Sequence, residues 1–443
     1  MADSTDTVAA SEAGRLTAAE PGGAANPEFC TVSGRSDRLP WTAVTAVALA
    51  GGVSFLNLWA TQPLLPLLTQ IFSASKSAVG MTISASTIAV ALSAPFCGAL
   101  AERVGRKRVI VAATFLLALP GLLAATSQTL NQLIFWRFLQ GIVTPGIFAI
   151  TVASITEEWP SQDVPKVMSA YLCGCVIGGF SGRVFSGHAV THQVFPGVVP
   201  HWRVGFIVLG TCALISGVIL ARWLPRDSKT EKQIAGAEPR NNVFRHLRNP
   251  QLTATYLVGF NVLFSLVAIF TYINFHLAAS PYFLSPSQLS LVFMVYLVGL
   301  VITPLAGIWI AKVGSRKALI AAELTGMAGG LLTLLHPLWV ILLGLTLCSS
   351  AVFICQVAAS SYIQVAAPAG ERSSATGLYV AFYYIGGSAS GVLPGYLWHF
   401  GGWTACVMLV LIVQAVTIVT AGLGWKPLEN RKPQVARVIL TDG

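Results

Sequence analysis

Apolar and polar positions along this chain fall into blocks. Long, mostly apolar runs are each closed by a short polar link. A bilayer-crossing helix needs about 20 such residues. Twelve runs qualify and are predicted as spanning helices: 42–66, 77–100, 108–127, 131–154, 167–190, 203–224, 252–278, 287–311, 317–335, 338–362, 374–398 and 402–425. The longest link, 225–250, divides them six and six.

Two links are nearly the same. Residues 98–108 read GALAERVGRKR and residues 307–317 read GIWIAKVGSRK, an offset of 307 − 98 = 209. In the fifth run, Tyr171, Gly178, Gly179 and Gly187 match Tyr379, Gly386, Gly387 and Gly395 of the eleventh at an offset of 208. The pattern predicts an all-α membrane protein with twelve transmembrane helices in two pseudo-symmetric six-helix bundles. The bundles are expected over 41–224 and 251–425, joined by the cytoplasmic linker 225–250. Residues 1–40 are polar and small, without the basic start and apolar core of a signal peptide, and read as a disordered cytoplasmic tail. Residues 426–443 read as a second tail.

Composition agrees. The chain is 54% hydrophobic and 10% charged, against about 25% charged in soluble domains. The net charge of +10 does not indicate nucleic acid, because the basic residues sit in the links and not on one face or arm. Of 27 Lys and Arg, 23 fall on the side of the N-terminal tail, Lys76 and Arg203 fall on the other, and Arg137 and Arg183 lie inside runs. Positive charge accumulates on the cytoplasmic side, so both termini are expected there. The cysteines show no zinc spacing and no disulfide framework. HExxH, a Walker loop and GxSxG are missing from the sequence, so no enzyme activity, metal, cofactor or ATP-driven pumping is expected.

The first link carries Gly98, Glu102, Arg103, Gly105, Arg106 and Lys107. This resembles the loop motif of the major facilitator superfamily between spans two and three, with Glu where Asp is usual. Arg137, Phe138, Leu139, Gln140 and Gly141 resemble that family's buried-arginine motif. Residues 174–183, GCVIGGFSGR, are similar to the glycine motif of its exporters, with Gly174, Gly178 and Gly182 in place, Gly179 at the usual proline and Arg183 at the last glycine. The branch most resembled is that of bacterial inner-membrane arabinose and drug efflux permeases. The resemblance implies a monomeric secondary transporter of the inner membrane that moves a small organic molecule by alternating access, with proton-coupled efflux first. An importer or passive uniporter of a small metabolite or sugar is the alternative.

The resemblance also implies a cavity lined by spans one, four, seven and ten, which offer Asn57, Gln62, Gln140, Thr144, Asn261, Tyr272, Asn274, Gln356 and Tyr362, with Tyr171, Tyr296, Tyr379 and Tyr383 from spans five, eight and eleven. Each serves equally as an interhelical hydrogen bond. Arg137, a charge inside the bilayer, must face the interior and be partnered, as a coupling group or as a carbonyl clamp. Arg183 either snorkels outward or faces the cavity and favours an anion. The glycines Gly174, Gly178, Gly179, Gly182, Gly386 and Gly387 allow close helix approach, and without the motif's proline the fifth span is expected to kink less. Glu102 suits a gate, paired with Arg106 or with a helix N-terminus of the other bundle. Acids inside spans are scarce. Glu323 is expected to reach Lys312 or Arg316, which leaves His276 and His188 as titrating groups for proton coupling.

Overall fold

The computed structural model describes residues 41–160, 162–191, 201–225, 243–368 and 371–426. The tail 1–40, residues 226–242 of the link 225–250, and the C-terminal tail apart from Lys426 lie outside the described residues. The described residues are all-α, without a strand: α1 (Trp41–Trp59), α2 (Leu65–Ile71), α3 (Lys76–Val104), α4 (Arg106–Ala124), α5 (Leu130–Val143), α6 (Pro145–Glu158), α7 (Val164–Thr191), α8 (His201–Trp223), α9 (Val243–Arg248), α10 (Pro250–Ala278), α11 (Pro286–Val292), α12 (Gly299–Val313), α13 (Ser315–Leu332), α14 (Leu338–Ala366) and α15 (Arg372–Gly424).

Twelve spans emerge from these. Ten helical stretches are long and apolar enough to cross a membrane by length and composition. The longest is really two helices, because α15 leaves helical geometry at Gly401 and Gly402. The twelfth is α13, whose apolar run is diluted by Arg316, Lys317 and Glu323. Span one is α1 and α2 joined by a 3-10 turn, Gln62–Leu64, with Pro63 inside it. Span four is α5 and α6 meeting at Thr144, with Pro145 opening α6. Span five, α7, is one continuous helix.

The sequence repeat is a structural repeat. Gly105 ends α3 at φ +100° and Gly314 ends α12 at φ +86°, again 314 − 105 = 209 residues apart. A side chain resists this left-handed backbone and glycine does not, so the link glycine is fixed by the turn. Helix packing repeats too. A Cβ on Gly178 would overlap the Gly52 carbonyl, and one on Gly386 would overlap the Phe260 carbonyl. Both offsets, 386 − 178 and 260 − 52, equal 208. Gly174 and Gly182 meet the backbone of Ala48 and Leu56 in the same way. Without bulk at these positions α1 seats directly on α7. Gly178→Ala is therefore expected to cost about 1–3 kcal/mol, the usual range for overpacking. The check is the fraction of monodisperse protein surviving a heat step in detergent, compared with Gly98→Ala, where nothing stands within 4 Å.

Among the described residues, contacts between the two halves run from one end toward the middle, where Phe148 meets the Tyr384 ring at 5.9 Å. A Cβ on Gly80 would overlap the Gly391 carbonyl, and one on Gly187 would stand 2.6 Å from the Pro286 carbonyl. Ser84 Oγ donates to the Ser388 carbonyl at 2.5 Å, and Ser388 Oγ returns a bond to the Ser84 carbonyl at 3.2 Å. Gln62 Nε2 donates to Thr271 Oγ1 at 3.1 Å. Lys76 lies over the Trp398 ring at 5.0 Å. The contacts of Gly80, Gly187, Ser84, Gln62 and Lys76 lie at the end opposite the basic turns. Along α3 the same helical face continues through Pro95, Gly98 and Glu102, and there it is exposed. The halves part toward the basic end.

Candidate functional site

Between the separated halves lies a cavity of about 490 Å³. Its walls are Phe55 and Trp59 of α1, Gln62, the Ser169–Arg183 face of α7, Leu263, Leu266 and Val267 of α10, Tyr296 and Gly299 to Pro304 of span eight, Phe353, Gln356 and Val357 of α14, and Tyr383. Most of this surface is apolar or aromatic. Polar atoms come from Gln62, Ser169, Tyr171, Arg183, Tyr296, Thr303, Gln356 and Tyr383. No residue of α5 or α6 is among these walls, so spans five and eight take the place the resemblance gave to span four.

Among the described residues, Arg183 is the one charged side chain in the wall. It occupies the closed end and does not snorkel outward: it is only 3% exposed. Its Nε donates to Gln62 Oε1 at 2.8 Å and its NH1 to the Gly179 carbonyl at 2.7 Å. The guanidinium lies 4.5 Å from the Phe293 ring centre, 4.8 Å from Tyr296 and 5.8 Å from Trp59. Aromatic faces attract a cation, and Arg183 forms no ion pair with any described carboxylate. Gly179, grouped by its sequence with the helix-packing glycines, belongs to this wall instead. Its hypothetical Cβ meets Arg183 NH1 first, at 3.4 Å, an ordinary contact. Gly387 faces the Leu263 side chain.

The other predicted positions scatter. Gln356 lines the cavity, and its Oε1 accepts a bond from Tyr379 Oη at 3.0 Å. Arg137 is fully buried behind the wall and is the carbonyl clamp. It donates to the carbonyls of Asn57 (2.8 Å) and Leu58, to Gln140 Oε1 (2.6 Å), to the Thr82 carbonyl (3.4 Å) and to Ser86 Oγ (3.4 Å). Gln140 and Asn57 belong to this clamp and not to the wall. Tyr272 donates to the Gly391 carbonyl at 2.7 Å, at the closed end. Asn274 donates back to the Phe270 carbonyl of its own helix at 2.6 Å. His276 stacks on Trp403 with ring centres 5.9 Å apart, also at the closed end. His188 bonds the Val184 carbonyl at 3.0 Å.

Two pairings differ from the sequence expectation. Glu323 does not reach Lys312 or Arg316. Its Oε1 accepts from Asn261 Nδ2 at 2.7 Å and from Cys355 Sγ at 3.4 Å. Arg316 is two helical turns away, roughly 10 Å along the axis, whereas Asn261 stands directly opposite. Arg106 does not pair with Glu102; it reaches Glu157 and Glu158 at the end of α6. Glu102 is exposed and makes no ion pair among the described residues, while Lys107 donates to the Leu224 carbonyl. Sequence reasoning missed Phe55, Trp59, Phe353, Ser169 and Thr303 of the wall. Aromatic and small residues inside apolar runs carry no signal that separates a cavity from lipid.

Twelve spanning helices in two repeated halves, around a cleft open at one end, define a membrane carrier. The profile of the Major Facilitator Superfamily matches residues 47–284 and 272–438, and the chain belongs to that superfamily. It is 31% identical over 372 residues to a transporter of Buchnera aphidicola subsp. Schizaphis graminum (strain Sg), covering 84% of this chain and 88% of that one. It is 29% identical over 374 residues to the inner membrane transport protein YnfM of Escherichia coli (strain K12), covering 83% and 87%. Among solved structures, the nucleoside transporter NupG is similar in fold, with a TM-score of 0.73 at 11% identity, over 87% of this chain and 100% of the other.

Proposed function

We propose that this transporter sits in the bacterial inner membrane and exports a small aromatic or amphiphilic organic anion in exchange for protons. The observation that carries the reading is Arg183: a buried cation in the cavity wall, flanked by aromatic rings and, among the described residues, by no carboxylate. A carboxylate seated there gains a charge-assisted, two-pronged partner while its apolar body lies against Phe55, Trp59 and Phe353. The basic turns mark the cytoplasmic end, so this state is read as facing inward. Glu102, without an ion pair among the described residues, is the natural latch for the opposite state, in which the inner ends close and bring it to a helix N-terminus of the other half. Such an exposed contact is worth about 0–1 kcal/mol, enough to bias a switch and weak enough to release.

Passive facilitation is the second reading, and one observation favours it: among the described residues no Asp or Glu stands in the cavity wall. Proteoliposomes decide between them. Labelled hippurate, an aromatic carboxylate, should move against its gradient when a pH gradient is imposed. Flux indifferent to that gradient selects the facilitator. Arg183→Gln should lower hippurate flux roughly tenfold or more, since a hydrogen bond to a charged group is worth about 1.5–3 kcal/mol. Flux of the uncharged amide, hippuramide, should change little. Equal loss for both compounds would leave Arg183 a packing role only.

A further inference from the structure

Among the described residues the cavity wall has no carboxylate, but one is buried just behind it. Glu323 of α13 is 2% exposed. Its Oε1 accepts from Asn261 of α10 and Cys355 of α14, and Asn261 Oδ1 accepts in turn from Ser265 Oγ at 2.7 Å. Three helices therefore meet on one carboxyl group. The titratable groups facing it are Cys355 from α14 and, beside Cys355, Tyr379 from α15. From α10 it meets neutral Asn261 and Ser265. No Lys, Arg or His forms an ion pair with it among the described residues. A purely structural buried carboxylate is normally matched by a cation, because a lone buried charge is expensive. Two neutral donors do not supply that match.

We propose that Glu323 is the group that carries the proton in the exchange cycle, an inference that rests on the exchange reading above. Its neighbours place it next to the cavity: Gln356, adjacent to Cys355 in α14, is a wall residue bonded to Tyr379. In the outward-open state a carboxylate oxygen of Glu323 takes a proton from water and becomes a hydroxyl. In the inward-open state that O–H bond breaks to cavity water, leaving the carboxylate to accept from Asn261 and Cys355. The charged form only accepts hydrogen bonds and the neutral form also donates. Protonation thereby changes what α10 and α14 gain from α13, and both helices also form the cavity wall. His276 and His188 are poorer carriers, since one stacks at the closed end and the other bonds its own helix.

Two measurements on the full-length protein in liposomes test this. Infrared difference spectra over a pH titration should show a carboxyl stretching band that titrates in the wild type, is lost in Glu323→Gln and persists, shifted, in Glu323→Asp. Hippurate flux should show Glu323→Gln losing gradient-driven accumulation while keeping exchange of labelled for unlabelled hippurate. Glu323→Asp, which can still bind a proton, should retain some driven accumulation. A wild type with no titrating band that Glu323→Gln removes overturns the proposal whatever is transported. So does gradient-driven accumulation in Glu323→Gln equal to wild type. Loss of both driven flux and exchange, in a variant as stable as wild type, also overturns it, because that marks a structural part. A band that behaves as stated, with wild-type flux indifferent to the pH gradient, keeps the proton site and sinks the exchange reading instead.

Discussion

Arg137→Met is expected to destabilise the protein before it affects any transport step. Helix α1 ends at Trp59, and its last carbonyls have no partners further along the chain. Pro63 occupies the position whose N–H would have reached the Trp59 carbonyl. Arg137 reaches across from α5 and covers the carbonyls of Asn57 and Leu58, while Ser186 Oγ covers that of Ala60 at 2.6 Å. A guanidinium suits this place: its donors fan in one plane, and the C-terminal end of a helix attracts a cation. Methionine fills much of the volume and leaves both carbonyls bare. Each unsatisfied buried group costs about 1–3 kcal/mol, and interhelical bonds in membranes average nearer 0.6 kcal/mol. A net loss of about 2–3 kcal/mol is the expected result. Thermal denaturation in detergent should show it as a clearly lower midpoint, with Arg137→Lys between the two. A Met variant as stable as wild type but inactive would move Arg137 from scaffold to coupling.

Gly80→Leu should reverse the direction in which the carrier faces. Gly80 and Gly391 touch backbone to backbone, and Ser84 with Ser388 ties the same crossing. A leucine side chain cannot fit there, so the closed end must open. The basic end has free space, since Gly98 and Gly377 have no neighbour within 4 Å of a hypothetical Cβ, and it can close in compensation. Cys173 reports the change. It is exposed and lines the cavity. A membrane-impermeant maleimide applied from the basic side should modify it in the wild type. In Gly80→Leu the reagent should succeed from the opposite side, and net flux should fall to background. Mass spectrometry of the peptide carrying Cys173 separates it from the other thiols. Unchanged sidedness would mean that the Gly80 crossing is not the far gate.

Much of the architecture was legible because its causes are local. Run lengths, link charges and the two repeats each depend on a few consecutive residues. Even α13, with Glu323 in its run, was found as the apolar stretch 317–335. The break in span one was not foreseen, although Gln62-Pro63 announces it, because the apolar run continues on both sides. The site was read less well. Arg183 was found because a charge replaces a glycine in a glycine motif. The partners of Glu323 were missed because Asn261 and Cys355 lie on other helices, and the reach to Arg316 was counted along one helix only. Tyr272 and Asn274 were expected in the wall as polar residues of span seven, but they serve a gate and their own helix. Sequence alone does not tell which side of a buried helix faces water.

Arg183 belongs to the first half, and two of the rings around it, Phe293 and Tyr296, belong to the second. When the halves swing apart at that end, the guanidinium must lose those rings. The charge is then differently surrounded in the two orientations, held by aromatic neighbours of both halves in one and by those of its own half in the other. On the proposed reading, cargo and second half compete for one cation, so the swing that turns the cavity around also changes what surrounds that charge.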